Sequence, residues 1–279
     1  MTTNPYEKRI LRVLDYIYEN PGADLSLDNL ADIAAMSRFH WHRVFHGMTG
    51  ETCANAVRRI RLHRAACVLV QSEKPIARIA KEVGFDTVQS FGRGFRAAYG
   101  MTPSAFRNRG DLVAHMHIKT DQEYQMYDVT LKNAPALKIA GLPHTGAYLA
   151  IGKVFEDVSA TFTARNLWPL ARGMSGVYYD DPNAVPEAEL RSFAGVVVAE
   201  DTPIPDGLQA VTTHAGKTAV LTFKGPYAGL KGAYDYLFGN WLPNSGEEAA
   251  DAPSYESYLN SPMDTAPDEL VTEICLPLK

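Results

Sequence analysis

Up to about residue 110 the apolar positions recur at intervals of three and four, and from about residue 126 they fall in short β-branched runs. The chain therefore changes from helical to strand periodicity part-way along. Residues 6–20 carry Ile10, Leu11, Val13, Leu14, Ile17 and Tyr18 and end at Asn20-Pro21-Gly22, which predicts an amphipathic helix with a terminator. Ser26 can cap a second helix over 27–35, with Leu27, Leu30, Ile33 and Ala34 on one side. A turn at Met36-Ser37 leads into residues 36–50, MSRFHWHRVFHGMTG, where Trp41, Val44 and Phe45 form an apolar stripe. The opposite face holds Arg38, His40, His42 and Arg43 with Phe39 beside them, a polar and cationic surface expected to face solvent or an anion. A short helix, a tight turn and a second, cationic helix make a helix-turn-helix, whose second helix enters a DNA major groove.

The pattern then repeats. A long helix over 51–71 carries Arg58, Arg59, Arg61 and Arg64, and Pro75 suits the first turn of the next helix because its missing N–H is not needed there. Residues 76–83 read as a short helix, Gly84-Phe85-Asp86 as a turn and 87–100 as a second candidate reading helix. The duplication is anchored by pairing Arg43-Val44-Phe45 with Arg93-Gly94-Phe95, and Gly47-Met48-Thr49 with Gly100-Met101-Thr102. Two such units on one long helix can place two reading helices in successive major grooves, about 34 Å apart. Gly92 and Gly94 lie inside the second of them, at about 1 kcal/mol each against Ala, which leaves two readings: a frayed helix, or close approach of its backbone to a neighbour.

Charge divides with the periodicity. The net charge is -5, but residues 1–110 hold 16 Lys+Arg against 10 Asp+Glu (+6) and residues 111–279 hold 11 against 22 (-11). A basic first part suits an anionic partner. With 46% hydrophobic and 21% charged residues in 279, the composition is that of a folded protein with room for two cores. No apolar run reaches the roughly 20 residues of a membrane span, and MTTNPYEKRI has no apolar signal core, so the expected location is the cytoplasm, with no membrane partner. Cys53, Cys67 and Cys275 are odd in number and widely spaced, which predicts buried reduced thiols. His42 and His46 stand four apart with no Cys, Asp or Glu completing a set nearby, so neither a metal nor a cofactor is expected.

In the second part, strands are predicted within 126–132, 136–142, 173–179, 193–199, 208–214, 217–223, 255–259 and 269–278, with helices over 148–166 and 227–242. A constant offset of 79 residues pairs Gly146 with Gly225, Tyr148 with Tyr227, Ile151 with Leu230, Phe155 with Tyr234, Val158 with Leu237 and Phe162 with Trp241, and sets 176–180 on 255–259. Each half reads strand, strand, helix, strand, strand. Two halves related by a pseudo-twofold give one curved antiparallel sheet with both helices on one face and a cleft expected on the other. Tyr178, Tyr179, Trp241, Tyr255 and Tyr258 fall in or beside the elements lining such a cleft, and Glu256 lies between two tyrosines. A carboxylate among aromatic faces suits an organic cation; the plainer alternative is a sheet with Glu256 turned to water.

Two family resemblances sharpen this reading. SRFHWHRVF at 37–45 followed by Thr49-Gly50, then GF at 84–85, SF at 90–91, RGF at 93–95, GMTPS at 100–104 and FR at 106–107, resemble the two helix-turn-helix units of AraC/XylS-family transcription regulators. The resemblance implies base contacts from Phe39, His42 and Arg43 in the first unit and Gln89, Ser90 and Arg93 in the second, with Arg38 and Arg96 on phosphates. The first reading helix, free of internal glycine, is expected to carry more of the base readout. GPYAGLKGAYDYLFGNWLP at 225–243, PSYESYLNSP at 253–262 and TEICLPLK at 272–279 resemble the GyrI-like effector-binding domain. That family implies an aromatic pocket for cationic or bulky apolar compounds around Glu256, with Tyr258, Trp241, Tyr255, Tyr227 and Tyr178 as further candidates.

The expected architecture is thus two domains: an all-α double helix-turn-helix over 1–112, a linker over 113–122, and an α+β duplicated β-β-α-β-β domain over 123–279. The expected function is effector-controlled binding of double-stranded promoter DNA by a monomer or homodimer, a reading that also allows RNA polymerase as a partner. It involves no catalysis. The alternative, from hydrolases similar to the second domain, is a small-molecule hydrolase or drug-sequestering protein with a DNA-binding domain attached.

Overall fold

The computed structural model describes residues 4–110 and 125–279. The expected linker at 113–122 lies outside the described residues. By packing, the chain forms two compact units: Met1–Ala35 with Thr49–Asp121, and Met36–Met48 with Gln122–Lys279. Thus most of the first helix-turn-helix's second helix belongs to the same unit as the C-terminal sheet, a grouping that the linear order of elements does not suggest.

The helical elements run α1 (Pro5–Glu19), α2 (Leu27–Ala34), α3 (Trp41–Thr49), α4 (Cys53–Gln71), α5 (Ile76–Glu82), α6 (Val88–Tyr99) and α7 (Pro103–Arg109). Capping fixes their starts: the side chains of Asn4, Ser26, Thr52, Thr87 and Thr102 each accept from a first-turn amide of the following helix. In the first unit α4 is the spine, and Leu62, Ala65, Ala66 and Leu69 pack with Ile79 and Ala80 of α5, Phe91 and Phe95 of α6 and Phe106 of α7. Residues 107–109, read from sequence as the opening of the interdomain connection, belong instead to helix α7, and Phe106 of that helix closes this core.

The internal repeat here has one offset, 50 residues. Gly50 and Gly100 have left-handed φ of 72° and 73° after α3 and α6, and Thr52 and Thr102 cap α4 and α7. This corrects the pairing of Gly47 with Gly100: Gly50 is the equivalent stop, and Gly47 serves another contact. Helix α6 is continuous, with no break at its glycines. A Cβ at Gly92 would meet nothing within 4 Å, and one at Gly94 would only touch Arg58 and Phe85 at 3.6 Å, so neither fraying nor an obligatory close approach explains them.

The second unit is an eight-stranded antiparallel sheet, in sequence order β1 (Val129–Ala134), β2 (Lys138–Thr145), β3 (Gly173–Tyr178), β4 (Arg191–Val198), β5 (Gln209–Thr212), β6 (Gly216–Lys224), β7 (Ser254–Tyr258) and β8 (Val271–Pro277). Its spatial order is β1-β6-β8-β7-β3-β4-β2-β5. The first strand of each repeat pairs with the second strand of the other: β1 lies on β6, and β5 on β2. At the centre β3 pairs with β7, Gly176 opposite Glu256. Helix α8 (Gly152–Ala164) packs Val158 and Phe162 on Ala140, Val196 and Val198. Its counterpart is split into α9 (Leu230–Tyr236), a π turn at Leu237–Trp241 and α10 (Leu242–Ser245).

That π turn explains why the 79-residue offset fails beyond it. A π turn is a one-residue insertion in a helix, and after it the offset becomes 80: Leu190 and Leu270 accept from Gly146 and Gly225 in the same way. Phe162, fully buried, is matched by buried Leu242, while Trp241 is only half-buried. In the strands, Tyr178 corresponds to Tyr258 rather than to Ser257, because a slip of one residue turns a strand side chain to the other face.

Of the thiols, Cys53 and Cys275 are buried and Cys67 is half-buried. Among the described residues no helix is long and apolar enough to cross a membrane.

Because the Cβ position of Gly92 opens on empty space inside α6, Gly92→Ala should stabilise the helical unit by about 1 kcal/mol, raising its Tm by several degrees in a calorimetric scan; an unchanged or lowered Tm would mean that position 92 needs glycine.

Candidate ligand-binding site

Strand alternation builds the site. From β3 and β7, Met174, Tyr178, Glu256 and Tyr258 project to the face that carries the helices, while Val177, Tyr179 and Tyr255 join the core on the opposite face with Ile139, Phe193, Val220 and Cys275. A cavity of about 1170 Å³ opens between α8 and α9 over the β3–β7 pair. It lies on the helix face, so the expectation of a cleft on the other face is wrong: the opposite face is filled by side chains of the curved sheet itself. Of the sequence candidates, Glu256, Tyr258, Tyr227 and Tyr178 line the cavity. Tyr255 points away from it, and Trp241, displaced by the π turn, is not among the lining residues.

The floor is a hydrogen-bonded carboxylate. Glu256 is 3% exposed. Tyr234 donates to its Oε1 at 3.1 Å and Tyr258 to its Oε2 at 2.8 Å. Since each hydroxyl has one proton, the 2.7 Å contact between Tyr178 and Tyr258 has Tyr178 as donor, giving a chain from Tyr178 through Tyr258 to Glu256. The opposite position, Gly176, leaves room for that chain: a Cβ there would come within 3.2 Å of the Tyr258 hydroxyl. Aromatic walls follow, with Phe155 at 5.3 Å and Tyr227 at 5.6 Å from the Tyr258 ring, and Tyr148 at 4.9 Å from Tyr178.

Burial dominates the electrostatics. Charge-assisted hydrogen bonds are worth about 1.5–3 kcal/mol each, against a desolvation cost of several kcal/mol for a buried carboxylate. The outcome at Glu256 is a pKa pushed up to about 7: burial raises it, and the bonds from Tyr258 and Tyr234 and the charge of Arg43 only partly restrain it. Tyr178, Tyr234 and Tyr258 are held well above the usual tyrosine range by burial and by the Glu256 charge, so they remain donors.

Residues 36–48 form one side of this unit. Ser37 donates to Asp251 Oδ1 at 2.9 Å, and His40 stacks on Phe238 with its Nε2 2.9 Å from the Ala252 carbonyl. Burial and the nearby Arg43 charge lower the His40 pKa to about 3, so the neutral ring donates from Nε2. His42, expected to be solvated or to face phosphate, is 5% exposed with Nδ1 2.7 Å from Asp181. Burial pushes the Asp181 carboxyl up, but the bond with His42 and the Arg43 charge together bring it down to about 2. Arg43 donates to the Asp180 carbonyl at 2.8 Å, and its guanidinium lies 4.6 Å from the Tyr234 ring centroid. Gly47 permits the closest approach, since a Cβ there would fall 2.2 Å from Gly239 Cα in the π turn.

The two candidate reading helices therefore differ. On α6, Gln89, Arg93 and Arg96 are exposed at helical spacing on one face, and Ser90 bonds back to Thr87 at the N-terminus. On α3 and its approach, Arg38 is exposed, Phe39 and Arg43 are half-buried and His42 is buried. The larger share of readout expected of α3 rests on a helix free of internal glycine, whereas α3 runs through Gly47 to Thr49; the side chains named for DNA are the more exposed on α6. Tyr234, Tyr148, Phe155, Phe238 and Arg43 were not among the sequence candidates for the pocket. Phe155 and Tyr234 were detectable as a matched pair in the 79-residue repeat, but Arg43 required knowledge of the packing. Among the described residues no group of three or more His, Cys, Asp or Glu could hold a metal ion.

A buried Glu256 with pKa about 7 is protonated in the folded chain between pH 4.5 and 7, where the unfolded chain has lost that proton, so its burial costs stability as pH rises through that window. His40, with its pKa lowered to about 3, has the opposite sign over most of the same range. The difference between wild type and Glu256→Gln isolates the first effect: near-equal stability at pH 4.5 and an advantage of roughly 3 kcal/mol for the variant at pH 8, measured by denaturant titration. A gap that does not widen with pH would refute the raised value.

Comparison with known proteins agrees with this division of labour. The GyrI-like small molecule binding domain matches residues 127–279, and a helix-turn-helix domain matches residues 30–109. The regulatory protein SoxS of Escherichia coli K12 is 33% identical over 104 residues, which are 37% of this chain and 97% of SoxS. The TetD protein of transposon Tn10, from Escherichia coli, is 38% identical over 95 residues, 34% of this chain and 69% of TetD. An uncharacterized HTH-type transcriptional regulator, YbfP, from Bacillus subtilis is 30% identical over 102 residues; the match spans 37% of this chain and only 35% of that regulator's length. The chain belongs to the GyrI-like small molecule binding family, joined at its N-terminal side to a helix-turn-helix domain of the AraC type.

Proposed function

We propose that this protein is a cytoplasmic one-component transcription regulator in which residues 1–112 bind promoter DNA and residues 123–279 bind a small cationic or aromatic effector that shifts the DNA-bound population. The observation that carries the effector class is the Glu256 carboxylate, 3% exposed at the floor of an aromatic cavity and held, among the described residues, by the hydroxyls of Tyr234 and Tyr258. A buried anion whose bonded partners are neutral is completed by a cation, and the Phe155, Tyr227 and Tyr258 rings supply cation–π faces for it. For DNA, the exposed Gln89, Arg93 and Arg96 of α6 suit adenine, guanine and phosphate respectively. A population shift requires the effector to prefer one arrangement of the chain, by about 1–3 kcal/mol for typical coupling.

A second reading rests on the same carboxylate. A glutamate of pKa about 7 beside tyrosine hydroxyls has the proton affinity of a general acid or base near neutral pH. Hydrolysis of a bound compound that is abolished by Glu256→Gln would move the protein to the enzyme class.

Arg43→Ala combined with Arg93→Ala should weaken specific binding to a DNA fragment selected by the wild type by about 2–6 kcal/mol, measured by anisotropy at fixed salt; retained affinity would reject both reading helices. Since cation binding needs ionised Glu256, the affinity for a permanently charged ligand should fall about tenfold per pH unit below 7 and level off above it. Glu256→Gln should weaken that ligand far more than a neutral compound of the same shape, and equal losses would remove the charge argument.

A further inference from the structure

Arg43 is the residue at which the pocket and the DNA-reading surface coincide. Its Nη2 donates to the Asp180 carbonyl at 2.8 Å, and its guanidinium carbon lies 4.6 Å from the Tyr234 ring centroid and 5.2 Å from that of Phe238. Tyr234 is the ring whose hydroxyl holds Glu256 Oε1 at 3.1 Å. Arg43 and Glu256 line the same cavity, so the chain already places a cation on the aromatic wall that leads to its buried carboxylate. The fit is shaped on both sides: the missing Cβ of Gly47, one turn along α3, lets that helix lie directly on the backbone of Gly239.

We propose that Arg43 is a built-in occupant of the cation site, and that a cationic ligand bound against Tyr234 and Glu256 displaces it, freeing α3 for DNA. This rests on the reading of Glu256 as the cation site and adds the mechanism that couples the site to DNA. Several acidic side chains line the cavity, but Asp181 is taken by His42 and Glu256 is the carboxylate bonded to Tyr234; at that wall two cations repel each other, which leaves room for either Arg43 or the ligand. The same guanidinium cannot bind a guanine edge while it donates to Asp180, so pocket and groove compete for one side chain. Ligand binding and DNA binding then reinforce each other, by the same factor whichever comes first. The remaining contacts of residues 36–48, from Ser37 to Asp251, His40 to Ala252 and His42 to Asp181, set how firmly α3 is held before the ligand arrives.

The test uses the full chain with benzyltrimethylammonium as the cation and neopentylbenzene as its neutral isostere. Arg43→Met, which keeps the length and apolar stem but not the charge, should bind the cation at least fivefold more tightly than wild type and the isostere unchanged. In wild type the cation should tighten binding to a selected DNA fragment about fivefold or more, and in Arg43→Met that enhancement should vanish. Gly47→Ala, whose new Cβ strikes the Gly239 backbone, should tighten DNA binding without any ligand. If Arg43→Met binds the cation no better than wild type while Glu256→Gln binds it worse, the displacement is wrong and the cation site stands. If Glu256→Gln binds it as wild type does, the cation site is wrong and the displacement falls with it. Unchanged DNA affinity of a folded Gly47→Ala chain would also overturn the release of α3.

Discussion

The second unit is organised around the cost of a carboxylate in a place that excludes water. Glu256 is brought to the centre of the sheet by the β3–β7 pair and covered by the helices, and burial raises its pKa to about 7 despite hydroxyl donors on both oxygens. The surroundings answer that cost. Gly176 faces Glu256 across the strand pair and makes space, Tyr178 backs up Tyr258, and Tyr234 reaches in from α9. Without the carboxylate these would be ordinary core tyrosines; with it they form a site poised between neutral and charged forms near physiological pH.

A different set of partners holds α3. A helix with His40, His42 and Arg43 on one face would ordinarily prefer water, yet here that face is half-buried or buried because Asp180, Asp181, Ala252 and Tyr234 receive it. Helix α6, its counterpart 50 residues later, has no such partners among the described residues of its own unit, and its arginines stay exposed. Two helices of one duplicated motif thus present different surfaces, and Gly47, His40 and His42, in and just before α3, are what let it take the partners it has.

Much of this was legible in the sequence. Period-3.6 and period-2 patterns located α1 to α6 and all eight strands, because one-sided burial leaves its period in the order of residues. Glu256 was conspicuous as the acidic residue in an aromatic strand. What the pattern could not carry was anything decided by one residue of register or by distant packing. The π turn at Leu237–Trp241 shifts Trp241 off the pocket and moves the repeat offset from 79 to 80, yet its local sequence is ordinary for a helix. Gly47 looked like a helix stop because it resembles Gly100 in context, while its use is a backbone contact with Gly239, about 190 positions away in the chain. Arg43, expected from the sequence only as a groove contact, also lines the pocket, which packing alone reveals.

The exchange of edge strands also has a meaning for ancestry. β1 completes the sheet of the second repeat and β5 that of the first, so neither repeat is a finished sheet from its own residues. Two identical half-length chains that donated their first strands to each other would make the same eight-stranded arrangement. Fusing such a pair into one polypeptide keeps the architecture but releases the halves from being identical. A single carboxylate could then arise on one side of the axis, at Glu256, with glycine opposite it at Gly176. A symmetric dimer must carry either two such charges or none; the fused chain can carry one, and so gives its cavity a direction.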